Sequence, residues 1–118
     1  MKTAFGTYIR KQREALRESD RKYSLRQVAI RIGIEPSLLS RIERGEPGSL
    51  SEKRTIFLAK DLGEDADVLL ALSGKVSSDI QEVIRKRPQL FAQLIRDLKN
   101  LPNHAVLRIV REVRDGKW

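Results

Sequence analysis

The chain has 118 residues, of which 40% are hydrophobic, 5% aromatic and 34% charged, enough for one compact domain with a helical appendage, cored mainly by Leu, Ile, Val and Ala. A formal net charge of +8 and a pI near 10.2 favour polyanionic partners, because each neutralised phosphate releases condensed counterions. The chain has no Cys, which excludes disulfides and gives no sign of an oxidising compartment.

Sustained period-2 alternation is absent and no Asn-Gly or Asp-Gly hairpin turn occurs, whereas helical periodicity recurs from end to end. Phe5, Tyr8, Ile9 and Leu16 share one side of a first helix, with Gln12 where a further apolar residue is expected; the polar run Glu18–Lys22 ends it. Ser24 reads as the N-cap of a second helix, Leu25 to Ile32, that turns Val28, Ala29 and Ile32 inward and stops at Gly33. Pro36, well tolerated at a first helical position, opens a third helix with Leu38, Leu39 and Ile42 on its apolar side, closed by Gly45. Ser51 caps a fourth, carrying Ile56, Phe57, Leu58 and Leu62 to Gly63, and a short fifth runs from about Ala66 to Ser73. Gly74–Lys75 is the expected boundary. Three more helical stretches follow: one capped by Ser77 or Ser78 with Ile80, Val83 and Ile84, one opened by Pro88, and one opened by Pro102.

Charge is unevenly spread. Residues 1–63 hold fourteen Lys or Arg against eight Asp or Glu, and residues 64–118 hold ten against eight, so a nucleic-acid face belongs in the first half. The stretch Ser24–Gly45 reads as helix, tight turn, helix. Ala29 is small where two helices cross, and Gly33 can take the positive φ that a sharp turn requires. Ile34, Leu39 and Ile42 pin the second of these helices against the first. Pro36, Ser37, Ser40, Arg41 and Arg44 are left outward, where a helix laid in the major groove reads base edges.

This stretch, and above all the run Leu39-Ser-Arg-Ile-Glu-Arg-Gly45, resembles the Cro/C1-type (xenobiotic-response-element, XRE) helix-turn-helix regulators, over roughly Phe5 to Gly74. The resemblance implies an all-α, five-helix lambda-repressor-like DNA-binding domain over residues 1–74, followed over residues 75–118 by a helical extension of about three helices. It further implies that the start of the second helix, around Ser24, Leu25 and Arg26, meets a phosphate, and that the third helix is the recognition helix. Ser37 and Arg41 are the candidates for base contacts, Arg41 by a bidentate pair with guanine. Ser40 and Arg44 fit base or phosphate, and Lys53 the backbone. Arg13 and Glu43 are expected to form a structural ion pair that orients the motif and could bring Arg13 near a phosphate. Two departures stand out: Pro36 removes a backbone donor at the start of the recognition helix, and the link between the first two helices, Ser19 to Tyr23, is long.

A helix-turn-helix monomer spans few base pairs, so a homodimer on double-stranded operator DNA is expected, with residues 75–118 supplying dimer contacts. The stripes Leu90, Phe91, Leu94, Ile95, Leu98 and Val106, Leu107, Ile109, Val110, Val113 are apolar over much of their helices and need cover, either from a second copy or from each other and the fifth helix within one subunit. Function is read as sequence-specific transcription regulation, most simply repression at an inverted-repeat operator. The alternatives are the DNA-binding antitoxin of a toxin–antitoxin-like pair or a repressor controlled by a partner protein through the C-terminal helices, and, from another class, an interaction module that has lost DNA binding. Arg85-Lys86-Arg87 reads as a helix-end cation cluster and Trp118 as an interface anchor or a frayed end. The lone His104 lacks companions at metal-ligand spacing, and no catalytic motif is present, so neither a metal, a cofactor nor enzyme activity is expected. With no signal peptide or bilayer-length apolar run, a cytoplasmic protein without membrane contact is expected.

Overall fold

A computed structural model describes residues 4–118. Its regular structure is helical throughout: α1 (Ala4–Arg17), a 3-10 turn (Arg21–Tyr23), α2 (Leu25–Ile32), α3 (Pro36–Glu43), α4 (Glu52–Leu62), α5 (Ala66–Leu72), α6 (Ser78–Lys86), α7 (Pro88–Leu98) and α8 (Asn103–Asp115). These form two compact units, one ending at Ser77 and the other spanning Ser78–Trp118. The first unit runs three residues past Gly74 because the chain stays tied there. Lys75 Nζ donates to the Leu50 carbonyl at 2.8 Å, and Ser77 is buried.

In the first unit, Phe5, Ile9, Val28, Ala29, Ile32, Leu39, Ile42, Leu50, Leu58, Ala59, Leu62 and Leu69 form one buried cluster. Each large aliphatic side chain removed from water in this way contributes roughly 1.5–3 kcal/mol. Ser24, Ser51 and Asp65 cap α2, α4 and α5, their side-chain oxygens accepting from the amides of Gln27, Arg54 and Val68. The link between α1 and α2 is organised in the same way, with Asp20 Oδ1 accepting from the Lys22 amide at 3.0 Å to start the 3-10 turn.

Two details differ from the sequence reading. On α1 the buried stripe is Phe5, Ile9 and Arg13, with Gln12 only half-buried. On α4 the buried residues are Thr55, Leu58, Ala59 and Leu62, while Ile56 and Phe57 are exposed. Thr55 can lie inside because its hydroxyl donates to the Ser51 carbonyl at 2.9 Å. Phe57 instead meets cations, with Lys53 Nζ and the Arg54 guanidinium 5.7 and 5.8 Å from its ring centre.

The second unit is different in kind. α6, α7 and α8 are amphipathic, yet none of their residues is buried. Leu90, Leu94, Ile95, Leu107, Val110 and Val113 are all exposed.

Candidate nucleic-acid interface

The turn between α2 and α3 fixes the site. Gly33 has φ 78°, and its amide donates to Ile30 O while the Ile34 amide reaches back to Ala29 O at 3.0 Å. This pair of bonds closes the α2 carbonyls and reverses the chain within two residues. Ile34 then packs on the core, and Pro36 starts α3 with its φ already helical. The close approach is sealed from α4: Arg54 Nη1 donates to Ile32 O at 3.1 Å, and a Cβ on Gly33 would stand 2.7 Å from that same nitrogen.

Helical spacing divides α3 into two faces. Leu39, Ile42 and Glu43 are buried, with Leu38 packed beside them. Ser37, Arg41 and Arg44 are exposed and Ser40 is half-buried, all on the opposite stripe. Eight residues make about 12 Å of helix, about the width of a B-DNA major groove. Arg44 donates from Nη1 to Ser40 Oγ and from Nε to the Glu46 carboxylate, so its fork is held against its own helix. Arg41 forms the exposed centre of the stripe.

Arg13 and Glu43 hold α3 to α1. Arg13 Nε and Nη2 donate to the two Glu43 oxygens at 2.8 Å each, and Nη1 donates to Tyr23 O at 3.2 Å. The bond to Glu43 is the main cause that raises the Arg13 pKa. Both residues are 4% exposed. All three Arg13 nitrogens are thus engaged, and the pair acts as an internal tie between α1, α3 and the end of the 3-10 turn.

The remaining candidates lie on neighbouring elements. Ser24 uses its hydroxyl as the α2 cap, and Arg26 is exposed in the first turn of that helix, where every helix leaves unpaired amides. Lys53 is exposed in the first turn of α4, over Phe57. Pro36 is half-buried, and Glu35 before it makes no side-chain cap bond. Arg21 and Lys22 are exposed on the 3-10 turn, Lys22 paired with Asp20 at 3.5 Å.

Two residues to which the sequence reading gave no site role border this face. Arg10, paired with Glu14 at 3.0 Å, lines a groove with Leu25, Ser40 and Arg44; its place one helical turn before Arg13 was the available signal. Glu46 follows α3, and its amide bonds Arg41 O at 2.9 Å. No sequence pattern distinguishes it from a solvated loop carboxylate.

The helix-turn-helix domain family matches residues 4–72, and the chain belongs to that family. Its first unit is thus a helix-turn-helix DNA-binding domain, in keeping with the resemblance to Cro/C1-type regulators. No curated protein and no solved structure matches the chain. Among the described residues no helix is long and apolar enough to cross a membrane.

Proposed function

We propose that this protein is a dimeric transcriptional repressor that binds an inverted-repeat operator in double-stranded DNA. The observation that carries the reading is the two-faced recognition helix: one side of α3 is locked by Leu39, Ile42 and the Arg13–Glu43 pair, and the other presents Ser37, Ser40, Arg41 and Arg44. An element held that rigidly and faced with planar and short polar donors suits base edges. Arg41 reads a guanine and Ser37 a neighbouring base, while Ser24, Arg26 and Lys53 contact phosphates and set register. Pro36 shapes the start of the helix without donating.

The second unit supplies the two-fold pairing. Three amphipathic helices without one buried residue are stable only when their apolar faces are covered, and a palindromic site requires a second identical copy. Residues 75–118 accordingly serve as the dimerisation region, with no cofactor. Selection of sites from a random duplex library tests the reading. It should enrich an inverted repeat with half-sites about one helical turn apart. Retention that follows salt alone, with no enriched motif, would refute it.

A further inference from the structure

We infer that Glu46 is a positioning residue of the recognition helix, holding Arg44 in a fixed fork so that it reads a specific site and is withheld from non-specific DNA. The inference rests on the DNA-reading function proposed above.

The geometry is a three-member clamp. Ser40 Oγ accepts from Arg44 Nη1, and the Glu46 carboxylate accepts from Arg44 Nε. Two of the five guanidinium N–H groups are thereby engaged, which leaves one on Nη1 and two on Nη2 for a base or phosphate. The Glu46 backbone is anchored in turn: Gly45 has φ 77°, and the Glu46 amide bonds Arg41 O, which places the residue directly at the end of α3. Arg41 is near enough that its charge also helps hold the Glu46 carboxyl below the usual carboxylate range, after the larger effects of the Arg44 bond and charge. One carboxylate therefore sits within the field of both arginines of the reading face.

The energetic consequence differs between the two modes of binding. Arg44 and Glu46 have half-exposed side chains, so their pair contributes little to folding and its removal leaves the domain intact. Non-specific DNA attracts mobile positive charge, and there the carboxylate subtracts from the attraction. A specific site rewards a guanidinium already oriented, because less side-chain freedom is lost on binding. Glu46 thus weakens the first mode and strengthens the second.

The test is Glu46→Gln, alone and combined with Arg44→Ala, with affinities for the selected operator and for a random-sequence duplex measured over a salt series. The expected result for Glu46→Gln is opposite movement. Non-specific affinity rises about 5- to 10-fold at 0.1 M salt and its salt slope steepens by about 0.9, the value of one added phosphate contact, while operator affinity falls. In the Arg44→Ala background, Glu46→Gln no longer lowers operator affinity. Equal gains on both duplexes, or no change on either, would overturn the inference while wild-type discrimination left the DNA-reading function standing. A wild-type protein that does not discriminate the two duplexes removes that function and this inference together.

Discussion

Among single residues, the Arg13–Glu43 pair sets how α3 is held against α1. Two charges at 4% exposure are tolerated because the bidentate bonds and the Tyr23 carbonyl use donors on all three Arg13 nitrogens. Removing one partner strands the other. Arg13→Ala should destabilise the first unit by about 3–5 kcal/mol, and Arg13→Met with Glu43→Leu should recover most of that loss. Urea denaturation of the three proteins checks this; a single variant as stable as wild type would contradict it. The pair was legible only through the resemblance. Periodicity placed the break in the apolar stripe at Gln12, one turn on from Tyr8 and Ile9, whereas the inner face passes through Arg13. An ion pair separated by thirty positions leaves no trace in local spacing.

At the scale of the element, capping and turn chemistry were the readable part. Ser24, Gly33, Pro36, Gly45, Ser51 and Gly63 bound α2, α3 and α4 where their backbone preferences place them. α4 shows the limit: an apolar run of four, Ile56 to Ala59, does not say which side faces inward. Thr55 takes an inner position with its hydroxyl satisfied by the Ser51 carbonyl, which leaves Phe57 outward beside Lys53 and Arg54, its neighbours four and three residues back on the same helix. The 3-10 turn was missed because Glu18–Lys22 carries no apolar period, only the Asp20 cap. The turn between α2 and α3 offers a clean comparison. Gly33→Ala and Gly63→Ala both force alanine to φ above +70°, at about 1–2 kcal/mol each. Only Gly33→Ala also displaces the Arg54 fork from the Ile32 carbonyl; a Cβ on Gly63 meets nothing within 4 Å. Thermal unfolding should therefore show the larger loss for Gly33→Ala. Equal losses would mean that Arg54 does not brace the turn.

At the scale of the whole molecule, the first unit and the second make separate contributions. The first has its own core and family match; the helices of the second have stripes but no interior. Composition revealed those stripes, but not what covers them, since an apolar face looks the same whether its partner is within the chain or on a second copy. If the partner is a second copy, Ile95→Glu, at an exposed apolar position on α7, places a charge in the interface. Sedimentation should then give a dimer for the wild type and a monomer for the variant, with the first unit still folded. Equal masses would argue against pairing through α7.

If α3 reads base sequence, loss of the Arg41 side chain must change which sequences are bound. Site selection from a random duplex library should be run in parallel with wild type and Arg41→Ala. Wild type should yield an inverted repeat, and the variant should lose preference at one guanine in each half-site, worth about 1–3 kcal/mol of discrimination. If Arg41→Ala instead selects the same repeat with affinity lowered uniformly across sequences, Arg41 touches only phosphate, and α3 is not read as described.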